Sequence, residues 1–230
     1  MNNSKDDKGL KEDENKNYKI LSIDIGIHHL AFSYCLVNED FTFERIERVE
    51  LIDISVFSHK KVSKKYCKLY HDKNFCDWIE HVFQEYDEFE ESDYILIERQ
   101  PPMGLVAIEQ LIFSKYRNKS ILIHPISVHS FFNISHLSNC DYEKRKVRSE
   151  EICYELLLKN KNKYNGTIEK LISFSRQHDV SDTILFMLYW IDKKQKEYTL
   201  KQKENKFKKS TFKSGENIND WFDKFMFKGK

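Results

Sequence analysis

The sequence predicts an α/β protein built on a mixed sheet with helices packed against its faces. Three observations carry that expectation. The ordered part opens with three consecutive apolar or alternating runs of strand length, two further compact apolar runs follow, and stretches with helical spacing lie between and after them. No internal repeat interrupts the order, and only 6 Gly and 3 Pro occur in 230 residues, which excludes collagen-like and linker-dominated chains.

The elements follow in order. Residues 1–17 are dense in charge and poor in apolar side chains, so they read as a disordered arm. Tyr18 to Gly26 and Leu30 to Val37 are Ile- and Leu-rich runs separated by Gly26 and the His28-His29 pair, and read as paired strands. Phe41 to Ile54 alternates aromatic or branched residues with charges and slips once, so a half-exposed strand with a bulge is expected. Phe75, Trp78, Ile79, Val82, Phe83 and Tyr86 mark the first helix. Tyr94 to Glu98 is a strand stopped by Pro101 and Pro102; Met103 to Tyr116 is helical; Ile121 to His124 is a strand stopped by Pro125. Ser127 is expected to cap a short helix bearing Val128, Phe131 and Phe132. Tyr142 to Leu158 and Val180 to Ile191 complete the helices. Past Lys193 the pattern weakens into a Lys-rich stretch, while Trp221, Phe222, Phe225 and Phe227 suggest a docking terminal segment. This divides the chain into an arm (1–17), a domain (18–194) and a Lys-rich tail (195–230).

Composition narrows the function classes. Apolar runs fall short of the ~18 to 20 residues of a membrane span, so a soluble protein is expected, and the first residues have neither a secretory nor a transit pattern. Five cysteines without a C-x-x-C pair imply reduced thiols rather than a zinc ribbon or a disulfide framework. The net charge of +1 conceals a gradient, from −8 over residues 1–115 to +9 over residues 116–230. Cationic residues gather at Lys144, Arg145, Lys146 and Arg148, at Lys159, Lys161 and Lys163, and along Lys193 to Lys213. Such a distribution suits a phosphate-tracking surface, although solvated helix faces have the same composition.

Four carboxylates stand out by context. Asp24 lies inside the apolar strand Ser22-Ile23-Asp24-Ile25-Gly26, and Glu98 ends Tyr94-Ile95-Leu96-Ile97-Glu98. Acids at such positions are costly unless a cation compensates them. Asp179 and Asp182 are three apart at a helix start and share a face. Each has an ordinary reading: a strand-end surface acid, an ion pair between Glu98 and Arg99, an N-cap at Asp179. Together they suit hard divalent ions, a pair of which can clamp the attacking and leaving oxygens of a phosphodiester. The His28-His29 pair lacks the further His or Cys that structural zinc takes, and His178 stands beside Asp179 either as a positioning imidazole or as a helix-start residue.

The Asp24 strand followed by Gly26, then Ile97-Glu98-Arg99-Gln100-Pro101, then Tyr142-Glu143-Lys144-Arg145-Lys146, then Arg176-Gln177-His178-Asp179-Val180-Ser181-Asp182 resembles the Holliday junction resolvases of poxviruses and related large DNA viruses. These group with bacterial RuvC-type and fungal mitochondrial resolvases in the RNase H-like superfamily, and the likeness spans about Tyr18 to Lys194. The resemblance implies an RNase H-like three-layer fold with a mixed five-stranded sheet and helices on both faces. It also implies a homodimer acting on a four-way junction by Mg²⁺-dependent paired symmetric nicking, with two ions per site and Mn²⁺ as a substitute. By the same likeness Asp24, Glu98, Asp179 and Asp182 are the catalytic and metal-binding acids, and Gln100, Lys144, Arg145, Lys146 and Arg148 are DNA-binding residues. A cytoplasmic site of viral replication is implied too. His28-His29 stand where a basic residue or Asn is expected, and Thr183 stands where Ala is expected.

Three rival functions remain in view. An actin-like or sugar-kinase-like ATPase shares Asp-x-Gly but needs Gly-rich loops later, where only Gly166, Gly215 and Gly229 follow Gly104. A broader flap or fork nuclease would use the same acids, and a non-catalytic branched-DNA module would gain nothing from them.

Overall fold

The structure is a computed structural model described for residues 17–26, 28–56, 75–134, 142–160, 163–164 and 166–214. Cys67, Cys140, Lys161, the arm to residue 16 and the aromatic segment around Trp221 lie outside the described residues.

Five strands, β1 (Tyr18–Ile25), β2 (His29–Val37), β3 (Phe43–Asp53), β4 (Tyr94–Glu98) and β5 (Ser120–Ile123), form one sheet in the order β3-β2-β1-β4-β5. The first three make an antiparallel meander, and β4 and β5 join parallel to β1. The slipped alternation of β3 is visible in its pairing, which shifts register between Tyr34 and Cys35 and again between Leu36 and Val37. Gly26 closes the β1–β2 connection: its N–H donates to the His29 carbonyl at 2.8 Å, and a Cβ there would meet that oxygen at 2.7 Å. Only glycine fits so close an approach.

The helices are α1 (Phe75–Glu85), α2 (Glu88–Glu91), α3 (Val106–Lys115), α4 (Pro125–Phe131), α5 (Tyr142–Lys159), α6 (Thr167–Ser173) and α7 (Gln177–Ser214). Ser127 lies inside α4 rather than at its cap. His124 takes that role, its ring accepting from the Ile126 N–H, with Pro125 at the first helical position where a missing N–H costs nothing. The helix beginning at Gln177 does not stop where its apolar stripe ends at Ile191 but continues to Ser214, since neither Gly nor Pro occurs in its sequence.

Strand alternation sorts the core into two layers. Leu21, Ile23 and Ile25 of β1 and Ile95 and Ile97 of β4 face α1, α2 and α3, packing on Ile79, Val82, Phe89, Ile108 and Ile112. Ile20 and Leu96 point the other way, toward Val180, Ile184, Met187 and Ile191 of α7, with Ile152 and Leu157 of α5 beside them. Each such fully buried Ile or Leu contributes about 1.5 to 3 kcal/mol. Tyr94 and Phe41 hold Trp190 at ring distances of 4.9 and 5.7 Å, fixing α7 across the sheet. Cys35, Cys76 and Cys153 form no disulfide among the described residues, and no helix of those residues is long and apolar enough to cross a membrane.

Candidate active site

The alternation that sends Ile23 into one core sends Ser22 and Asp24 to the opposite face, beneath α7. Ser22 pairs with Leu96 across the parallel β1–β4 ladder, so Asp24 and Glu98, each two residues further, are neighbours on that face. Helix α7 crosses above and presents Asp179 and Asp182 from its first two turns. All four acids line one cleft of about 1110 Å³.

Their electrostatics follow from that placement. Burial is the largest cause pushing Asp24 above its ordinary value; the charge of Asp179 adds to it, and a hydrogen bond with Glu98 opposes it. Glu98 is also pushed up, first by burial, then by the charge of Asp24 and their shared hydrogen bond. Burial, followed by the charge of Asp24, raises Asp182 to about 8 despite the hydrogen bond from Ser149. Asp179 is held differently. The Arg176 guanidinium donates to both its oxygens, through Nε to Oδ2 and through Nη2 to Oδ1 at 3.2 Å. His178 stands beside it, with Nε2 3.0 Å from Asp179 Oδ1 and Nδ1 3.5 Å from Glu150, although Nε2 is buried without a well-aligned hydrogen bond.

Among the described residues no three His, Cys, Asp or Glu side chains are drawn into a cluster of metal-ligating spacing. The acids share a cleft rather than a single point, because Asp24 and Glu98 satisfy each other and Arg176 draws on Asp179. In chemistry the donor set fits a hard divalent cation: every donor is a carboxylate oxygen, and a cation would relieve both the desolvation and the repulsion that raise Asp24, Glu98 and Asp182.

The remaining residues expected from the sequence divide. Gln100 lines the cleft and its amide donates to Glu98 Oε2 at 3.1 Å. Arg145 and Lys146 line it too, together with Tyr142 and Ser149. These four occupy positions i, i+3, i+4 and i+7 of α5, a single helical stripe. Lys144 and Arg148 are not among the cleft's lining residues; Lys144 is exposed, and Arg148 donates to Glu151 at 2.9 Å. Of the two departures noted in the sequence, Thr183 is buried and satisfies its hydroxyl on the Val180 carbonyl at 2.7 Å. His28 serves through its backbone, its carbonyl accepting from the Ile54 N–H.

Several cleft residues escaped the sequence reading. Glu109, 4% exposed, accepts the Gln100 N–H at 2.6 Å and so pins the loop that carries Gln100. His124, His129 and Arg176 complete the wall. Burial, and then the charge of Arg145, lowers His129 and keeps it neutral near pH 7. Apart from Arg176, three residues before Asp179, none of these carries a sequence signal beyond being polar.

A central pair of parallel strands bearing acids, flanked by an antiparallel meander and capped by an acid-bearing helix, defines an α/β fold with a carboxylate cleft at the strand ends. No protein-family model matches the chain and no curated protein matches its sequence. Solved structures do match its fold. The fowlpox virus resolvase in complex with substrate Holliday junction DNA is similar with a TM-score of 0.53 and 17% identity over 76% of this chain and 97% of that one. A second structure of the fowlpox virus Holliday junction resolvase gives a TM-score of 0.51 and 15% identity over 76% and 98%. The yeast mitochondrial Holliday junction resolvase gives 0.56 and 16% over 81% and 86%. The chain therefore has the RNase H-like fold of these resolvases, with the five-stranded mixed sheet and helices on both faces that the sequence led us to expect.

Proposed function

We propose that this chain is a divalent-cation-dependent endonuclease that resolves four-way DNA junctions by paired symmetric nicking, acting as a homodimer in the processing of viral recombination or replication intermediates. The observation that carries this reading is the gathering of four acids from β1, β4 and α7 in one cleft whose α5 wall supplies Arg145 and Lys146. The resemblance in the sequence motifs and the likeness to resolvase structures support it.

Asp24, Glu98, Asp179 and Asp182 would hold Mg²⁺, with two ions per site, or Mn²⁺ in its place. When bound, such ions lower the pKa of water and stabilise charge on the attacking and leaving oxygens of the phosphodiester. The chain's own residues do the rest. The proton shared by Glu98 and Asp24 must leave for both to act as ligands. Ser149 orients Asp182, and Gln100 orients Glu98 through its amide. Arg145 and Lys146 face the same space and neutralise phosphate charge where the strand enters. Hydrolysis would leave a 5′-phosphate and a 3′-hydroxyl, with no covalent enzyme intermediate.

The test is nicking of a synthetic immobile four-way junction beside a replication fork and a linear duplex, in Mg²⁺ and in EDTA. Symmetric paired nicks confined to the junction and abolished by EDTA are expected. Equal cutting of the fork would demote the chain to a general branched-DNA nuclease, and binding without any cleavage would leave only a junction-binding module.

A further inference from the structure

Helix α7 has two chemically opposed halves. Residues 177–192 include Asp179 and Asp182 and no Lys or Arg, whereas residues 193–214 include nine Lys and two Glu. The first half is bound into the core through Val180, Ile184, Met187 and Ile191. Anchoring continues through Trp190 and through Gln195, whose amide donates to the Thr42 hydroxyl at 2.8 Å, with the Lys196 ammonium over the Phe131 ring. From Thr199 to Lys206 every residue is exposed, including Leu200 at 60%.

From Thr199 to Ser214 this helix carries six Lys against one Glu, and like charges three or four positions apart oppose a helix. Lys203 and Lys206, Lys206 and Lys209, and Lys209 and Lys213 stand in that relation. Such an arm gains most from an anionic polymer. Because the helix is continuous, its axis runs on directly from the acids. At 1.5 Å per residue, Lys201 to Lys213 stand roughly 28 to 46 Å along the axis from Asp182.

We propose that the second half of α7 is a basic arm that contacts the phosphate backbone of a duplex arm of the substrate, roughly 8 to 14 base pairs from the cleft at 3.4 Å per base pair. This rests on the nuclease reading above, and adds a second, sequence-independent DNA contact built into the helix that carries two of the catalytic acids.

The test uses the full chain in EDTA, where cutting is prevented, and measures by fluorescence anisotropy its affinity for junctions with arms of about 6 and about 20 base pairs over a salt series. The variants are a triple Lys201→Gln, Lys203→Gln, Lys206→Gln protein and the matching triple Arg protein. Wild type is expected to bind the long-armed junction more tightly than the short-armed one. The Gln variant should lose that gain and flatten the log Kd against log salt slope by about 2 to 3, so that its loss of affinity between 50 and 200 mM salt is about 16- to 64-fold smaller than wild type's. The Arg variant, which keeps charge and helix propensity, should behave as wild type. Wild-type binding with the same slope and the same arm-length dependence in all three proteins would overturn the arm and leave the nuclease reading intact. A change of assembly mass in the Gln variant by sedimentation would make the helix a subunit contact instead, and also overturns it. Failure of wild type to bind any junction would overturn the nuclease reading and the arm together.

Discussion

Asp182 is a carboxylate taken out of water beneath a helix, with a second acid close enough to repel it, and its titration follows from that. Because burial and Asp24 raise it from 3.8 to about 8, the folded metal-free protein binds a proton that the unfolded chain releases above pH 4. The sign is that of any raised acid: the stability it supplies is fully present below the unfolded value and is lost as pH rises from about 4 to about 8. Asp24 and Glu98 shift in the same direction. We predict that the melting temperature in EDTA falls across this window, and that Asp182→Asn, which keeps the volume and removes the ionisation, shows a shallower fall. Equal slopes for the two proteins would contradict the burial argument. Glu109 gives a second prediction at this scale. Its carboxylate accepts the Gln100 N–H at 2.6 Å in a nearly dry position. Glu109→Ala orphans that donor and should cost about 1 to 3 kcal/mol in denaturant unfolding, whereas Glu109→Gln retains an acceptor and should cost less than about 1 kcal/mol.

At the scale of the element, strands announced their acids and helices only partly announced their basic residues. Asp24 and Glu98 were legible because each interrupts an apolar run, and because the period of two places each opposite its core-facing neighbours. Asp179 and Asp182 were legible as an i, i+3 pair. The block Lys144 to Arg148 was legible only as charge. At 100° per residue it covers two sides of α5, and the structure turns the stripe Tyr142, Arg145, Lys146 and Ser149 into the cleft while Arg148 meets Glu151. Counting the stripe from Tyr142 would have separated them. Glu109 and His129 come from elements that are neighbours in space alone, so no local pattern marks them, whereas Arg176 stands three residues before Asp179 and its i, i+3 spacing was there to be read. The cap of α4 was misread for a related reason: Pro125 is well suited to the first helical turn, which moves the start ahead of Ser127. The β1–β2 turn supplies a prediction of its own. Gly26→Ala places a methyl group 2.7 Å from the His29 carbonyl oxygen, so the backbone must move next to Asp24. A loss of about 1 to 3 kcal/mol is expected, with a larger proportional loss of nicking than Asp24-distant variants of equal stability show.

For the whole molecule, the fold gathers acids at the ends of two central strands and closes them with the start of α7, the arrangement that the proposed cation binding needs. The acidic first half and basic second half of the chain meet across this cleft, with α5 and α7 of the second half lying over β1 and β4 of the first. A ligand that binds only the folded state raises its stability by mass action. Mg²⁺ or Mn²⁺ should therefore raise the melting temperature at pH 8, and the rise should be smaller in Asp182→Asn; Ca²⁺ tests whether the effect follows charge alone. Unchanged melting with saturating Mg²⁺ in wild type would argue against cation binding by this cleft.

The most direct test of the central claim, that the four cleft acids do the cutting, is a single-turnover comparison of wild type and Asp182→Asn on the same labelled four-way junction, with binding measured on the same samples. The account predicts Mg²⁺-dependent paired nicks by wild type, a loss of at least about 100-fold in the variant's rate, equivalent to roughly 2.7 kcal/mol of barrier, and junction affinity within about threefold of wild type, a difference under roughly 0.7 kcal/mol. Nicking retained by the variant at near wild-type rate would contradict it.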